Sequence, residues 1–193
     1  IFPLSLAPYH IWPIALVSLA WFADLLTQQT PKQALLRGWA FGTGMWGVGV
    51  SWLFVSIHEY GYTPAWLAIL MVAFVAVVMG LFSASMAFIY RRFNLDRHAI
   101  LTFAPLFIIF EWLKTWLFTG FPWLFTGYGF IDSVLVGYAP ILGVFGVGLL
   151  AVISAQCLLM LLKHRTKAWS YGLLFSAIWL AGFGLQHISW TKS

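Results

Sequence analysis

Hydrophobic residues dominate the chain in long, smooth runs separated by short polar breaks. Six runs approach the ~20 residues that a bilayer requires: Ile11–Leu26, Ala34–Ile57, Pro64–Tyr90, His98–Leu117, Pro140–Leu162 and Ala168–Ile188. The first is short for a span unless it extends through the Pro8–Pro13 region. None alternates over about ten residues, as outer-membrane strands do. The pattern predicts an all-α fold, a polytopic transmembrane helical bundle of about six spans forming one domain over residues 1–193. Pro13 and Pro64 fit first-turn positions, where the missing N–H is no loss. Gly38, Gly42 and Gly49 recur on one face of the second run, with Gly44 and Gly47 nearby, and Gly143, Gly146 and Gly148 lie in the fifth. Small residues of this kind let membrane helices approach closely, so packing is the expected role of both sets.

Composition agrees with a membrane protein. The chain is 62% hydrophobic and 8% charged, against about 45–50% apolar and about 25% charged in soluble domains. Its mean hydropathy is +0.92. The net charge of +5 does not point to nucleic acid, because the cations cluster between apolar runs. Lys32, Arg37, Arg91, Arg92, Arg97, Lys163, Arg165 and Lys167 share one side, and only Lys114 and Lys192 fall on the other, eight against two. The positive-inside rule makes the basic side cytoplasmic and puts both chain ends outside. The chain opens at Ile1 without a basic n-region or cleavage site, so no signal peptide is expected and an upstream span is. The external C-terminal end, His187–Ser193, is placed to lead into an external domain.

Candidate chemistry is concentrated between Glu111 and Tyr128, EWLKTWLFTGFPWLFTGY. Glu111 lies about twelve residues into its run, roughly 18 Å along a helix axis. Lys114 follows on the same helix side at i,i+3. Charge inside a membrane span is costly and commonly functional. Two roles stand open: a structural ion pair with Lys114 snorkelling outward, or a polar anchor for a lipid head group or an external loop. The aromatic external segment Phe118–Ala139 carries Phe118, Phe121, Trp123, Phe125, Tyr128, Phe130 and Tyr138. Gly120, Pro122 and Gly127 supply turns. Such a loop belongs in the membrane interface, either as an aromatic belt or as the wall of a lipid-access groove.

Elsewhere the chemistry is sparse. His58 and Glu59 sit in an external turn, where His58 serves as a hydrogen-bonding interface residue more readily than as a catalyst. No metal site is expected: no H-E-x-x-H motif appears, and neither does a nucleophile elbow or a P-loop. The single cysteine, Cys157, excludes an intrachain disulfide and reads as a small buried hydrophobe. No cofactor is implied.

Several of these blocks resemble the membrane domain of the bacterial apolipoprotein N-acyltransferase family. They are Leu6-Ala7-Pro8-Tyr9-His10-Ile11-Trp12-Pro13, the glycine-rich Gly38–Gly49, Val55-Ser56-Ile57-His58, Glu111-x-x-Lys114, Thr119-Gly120-Phe121-Pro122-Trp123, Gly127-Tyr128, Ile131-Asp132 and Ala139-Pro140-Ile141-Leu142-Gly143. Two positions depart from the family pattern. Lys114 stands where Arg is usual, and an ammonium cannot make the bidentate contact of a guanidinium. Tyr62 stands where a second glycine follows Gly61. The resemblance implies a multi-pass protein of the bacterial inner membrane with both ends of this stretch periplasmic. The implied reaction moves an acyl chain from a phospholipid donor, through an enzyme thioester, to the α-amino group of a diacylglyceryl-cysteine lipoprotein. It also implies that the catalytic Glu-Lys-Cys triad belongs to a nitrilase-like external domain, so no catalytic residue is expected among these residues. Cys157, on the cytoplasmic half, is no substitute. The family's first and last spans are likewise expected to lie beyond this stretch. Glu111, Lys114, Thr119, Gly120, Phe121, Pro122, Trp123, Tyr128 and His58 are then candidates for substrate and lipid access. Two rival roles are a non-catalytic anchor for another membrane enzyme, such as a polyprenol-phosphate glycosyltransferase, and a small transporter. The transporter would need polar residues along a path and an inverted repeat, neither of which is evident.

Overall fold

A computed structural model of the chain describes residues 1–95, 99–163 and 168–190. His98, Arg97, Arg165, Lys167 and Lys192 of the sequence reading lie outside the described residues. Among the described residues all regular structure is helical. The helices are α1 (Trp12–Leu26), α2 (Pro31–Gly49), α3 (Leu53–Val55), α4 (Ala65–Arg92), α5 (Ala99–Leu113), α6 (Ala139–Lys163) and α7 (Ala168–Gln186). A π turn, Ser56–Tyr60, continues α3. Short 3-10 turns at Leu117–Thr119, Thr126–Phe130 and Val134–Tyr138 occupy the aromatic segment between α5 and α6.

Each of the six apolar runs therefore carries a helix, but the runs are not six equal spans. Among the described residues, three stretches are long and apolar enough to cross a membrane: α4, Val134–Lys163 and α7. A fourth results if α2 and Leu53–Tyr60, bent by 58° at their junction, act as one broken span. The expected straight helix over Ala34–Ile57 is thus interrupted. Gly44, Gly47 and Gly49 weaken its end, and the Ser51 hydroxyl donates to the Val48 carbonyl at 2.9 Å, a local bond that competes with the helical ladder. Helices α1 and α5 are 15 residues each.

The described residues form two compact units, Leu25–Leu95 and the remainder. In the first, α2 starts with a capping box: the Gln33 N–H donates to Thr30 Oγ1 and the Thr30 N–H to Gln33 Oε1, satisfying two terminal donors. Helix α2 packs on α4 through glycine. A Cβ at Gly42 would meet Gly80 Cα at 2.9 Å, and one at Gly38 would meet the Ala87 Cβ at 2.7 Å. The Trp39 indole N–H adds a 3.1 Å bond to the Val77 carbonyl. Gly44 faces open space, so the packing expectation holds for Gly38 and Gly42 and fails for Gly44. Along α4, Ala68, Ala76, Gly80, Ala84 and Ala87 are buried while Trp66, Phe74 and Leu81 are exposed. Met79, Met86 and Tyr90 are buried with them, and a mostly small inner face with large apolar residues outside suits a helix facing lipid.

The second unit gathers α1, α5, α6 and α7. Phe22 of α1 meets Phe103 and Phe107 of α5 at ring-centroid distances of 6.0 and 6.5 Å. Trp12 lies 5.0 Å from Trp179 of α7, whose indole N–H donates to Ser154 Oγ on α6 at 3.1 Å. Asp24 and Lys163 form an ion pair. Gly143 does not pack as expected. Its φ of +63° interrupts α6, and nothing lies within 4 Å of a Cβ built there. It provides a kink that glycine adopts at no steric cost, and Gly148 is the fifth-run glycine that meets another helix, α5, at Ile108.

Candidate functional site

The site grows from the end of α5. Beyond Leu113 the helix unwinds, and the Thr115 hydroxyl donates to the Trp112 carbonyl at 2.7 Å. The chain then turns sharply at Thr119 (φ +74°) and Gly120 (φ +81°). A Cβ at Gly120 would overlap the Thr115 carbonyl, so the turn requires glycine. The Phe121 N–H returns to the Lys114 carbonyl at 2.7 Å. The Trp123 N–H donates to the Phe121 carbonyl at 2.9 Å, closing a three-residue turn about Pro122. Leu124, at φ +57°, holds a conformation that costs a non-glycine residue on the order of 1–3 kcal/mol.

The second fixing point is a side chain. Glu111 Oε1 accepts both the backbone N–H and the hydroxyl of Thr126, each at 2.9 Å. Lys114 Nζ stands 3.9 Å from the same oxygen and 5.6 Å from the Phe125 ring centroid. Glu111 and Lys114 are 3% and 4% exposed, so Lys114 does not snorkel outward. The pair survives burial because each charge has the other and the carboxylate gains two donors. Glu111 Oε2 is buried with no hydrogen-bond partner and would lie 3.6 Å from a Cβ at Gly148.

Glycine brings the loop down onto α6. A Cβ at Gly127 would overlap the Val144 carbonyl, and one at Gly129 would meet Ser5 Oγ at 2.7 Å. Four of the loop's aromatics fall into two contrasting sets, while Phe121 and Tyr138 are half-buried. Phe125 and Phe130 are buried, with Phe125 5.2 Å from Phe145. Trp123 and Tyr128 remain 46% and 49% exposed. A uniform aromatic belt would not separate them so.

Glu111, Lys114, Thr119, Gly120, Phe121, Pro122, Trp123 and Tyr128 thus share one continuous piece of structure. His58 belongs to the other unit. Its Nδ1–H donates to the Thr63 carbonyl at 2.7 Å and its ring lies 5.2 Å from Phe54, a bond that pins the turn before α4. Two elements of the site escaped the sequence reading. Thr126 is the residue that Glu111 holds. His10 pairs with Asp132 at 2.7 Å, tying the N-terminal segment to the loop's far end. Both members of that pair fall within motif blocks, yet nothing in their spacing joins them. Cys157 is buried in α6, nine residues and about 13.5 Å along the helix from Gly148. Among the described residues no three His, Cys, Asp or Glu side chains gather as metal ligands would.

These features define a helical membrane protein with a buried charged pair beneath an ordered aromatic loop. Residues 1–157 match the family model described as the apolipoprotein N-acyltransferase N-terminal domain. The chain is 40% identical over 190 residues to the apolipoprotein N-acyltransferase of Nitrosomonas europaea, covering 96% of this chain and 38% of that protein. It is 42% identical over 199 residues to that of Pseudomonas syringae pv. tomato, covering 98% and 39%. For Vibrio parahaemolyticus the figures are 40% over 191 residues, 97% and 37%. The chain belongs to the apolipoprotein N-acyltransferase family and spans about two fifths of the length of these relatives.

Proposed function

We propose that these residues form the lipid-embedded domain of a phospholipid:apolipoprotein N-acyltransferase of the bacterial inner membrane. Its task is to bring a phospholipid donor and a diacylglyceryl lipoprotein acceptor to an external nitrilase-like domain. In that reaction a thiolate takes the acyl group from the donor's ester oxygen, and the lipoprotein amine then takes it from the thioester, releasing the thiol. The thioester splits one difficult transfer into two easier ones. Both substrates are held in the bilayer, so a membrane domain contributes by positioning.

The observation that carries this reading is the loop held at two points. Lys114 through its carbonyl and Glu111 through its carboxylate fix Phe121 and Thr126, and the exposed Trp123 lies between them. Burial of the charged pair supports a role in holding the loop, with lipid contact falling to Trp123, Tyr128 and the turn from Thr119 to Pro122. The chain ends are expected on the periplasmic side. A photoreactive amino acid placed at position 123 of the full-length enzyme, in membranes, tests lipid contact. Crosslinking to phospholipid is expected there and not at buried Phe130. Equal labelling of both positions, or none at 123, would contradict the reading.

A further inference from the structure

The aromatic segment is held a second time, from α7. Glu111 on α5 fixes Thr126, and α7 receives the stretch that follows. The Gln186 side-chain amide donates to the Ser133 carbonyl at 3.1 Å. The Tyr138 hydroxyl donates to the Ile178 carbonyl at 2.8 Å. Between these two bonds the backbones touch. A Cβ at Gly137 would overlap the Gly182 carbonyl, and one at Gly182 would meet the Val134 carbonyl at 2.7 Å. Small residues at both positions let the turn Val134–Tyr138 lie directly on α7.

Ser133 passes this hold back toward the aromatics. It is buried. Its hydroxyl donates to the Phe130 carbonyl at 2.8 Å and accepts the Leu135 N–H at 3.2 Å. Its own N–H donates to the same Phe130 carbonyl at 3.0 Å. The buried Phe130 ring lies 6.4 Å from Trp12, which in turn meets Trp179 of α7. Tyr128 therefore stands between two fixed residues, Thr126 and Phe130, while it remains exposed itself. The neighbouring Asp132 meets His10 through its side chain. Gln186 grips the backbone instead, so it acts on the path of the chain. Gln186 is the last residue of α7 and is exposed. Its replacement removes a hydrogen bond without opening a cavity in the core, the kind of change that stability tolerates.

We propose that Gln186 is a positioning residue for Tyr128. Its bond to Ser133 sets the turn at residues 130–133 and with it the direction in which Tyr128 faces. That Tyr128 meets a phospholipid rests on the acyl-transfer reading; that Gln186 sets Tyr128 does not.

The test uses the full-length protein in detergent micelles, with a fluorinated tyrosine at position 128 or a fluorinated tryptophan at position 123, read by fluorine NMR. Gln186→Leu should move or broaden the signal from position 128. It should leave the signal from position 123 and the melting temperature near wild type. Gln186→Lys keeps a donor of similar reach and should restore the signal from position 128. In the acylation assay Gln186→Leu should raise KM for the phospholipid donor about fivefold, the worth of one hydrogen bond, with kcat near wild type. An unchanged signal from position 128 in Gln186→Leu would overturn the proposal. So would equal displacement in Gln186→Leu and Gln186→Lys, or changes at both positions together with a lower melting temperature. A displaced Tyr128 with wild-type acylation would keep Gln186 as a positioning residue and overturn the lipid contact of Tyr128.

Discussion

The carboxylate of Glu111 accepts two hydrogen bonds from a single residue, Thr126, fifteen positions further along the chain. A helix end and a loop are thereby joined by one buried oxygen. The hydroxyl bond is removable without touching the backbone bond. Thr126→Val should destabilise the full-length protein by about 1–3 kcal/mol, the cost of leaving a buried acceptor underused. Thermal unfolding in detergent measures it.

The Glu111–Lys114 pair is best judged by a double substitution. Removing one partner leaves a buried, uncompensated charge, and Glu111→Leu or Lys114→Leu alone should cost about 3–5 kcal/mol. Replacing both with leucine should cost less than either single change, although Thr126 then loses its acceptor. A double substitution that costs as much as the sum of the singles would show that the charges act separately.

Loop seating depends on glycine. Gly127→Ala places a methyl against the Val144 carbonyl and should lift the loop from α6, lowering both thermal stability and acylation. Gly44→Ala, which meets nothing within 4 Å, should change neither. Equal behaviour of the two variants in a melting experiment would refute close contact between the loop and α6.

The contact between His10 Nδ1 and the Asp132 carboxylate is half-exposed. Pairs of this kind contribute about 0–1 kcal/mol. Asp132→Asn should therefore shift the melting temperature little, and a loss above about 2 kcal/mol would assign the pair a larger role than its exposure permits.

Much of this architecture was legible in the apolar runs, since every one carries a helix. The breaks were less so. Gly143 and the Val50–Trp52 junction lie inside runs read as continuous spans, and hydropathy reports burial in lipid rather than backbone direction. The i,i+3 spacing placed Glu111 and Lys114 on one side of α5, but the burial of Lys114 depends on Phe125 and the loop folding over it. Thr126 was not legible, because a threonine fifteen residues from a glutamate has no local signature. The turn residues Gly120 and Pro122 were readable because their backbone chemistry is local.

Whether the loop positions lipid is decided by the rate of acyl transfer in the full-length Trp123→Ala enzyme. Trp123 is 46% exposed, so its truncation should leave membrane abundance and melting temperature near wild type. Lipoprotein acylation should fall about tenfold or more, as loss of a positioning contact does, and Glu111→Gln should lower it too. Wild-type acylation in both variants would contradict such positioning.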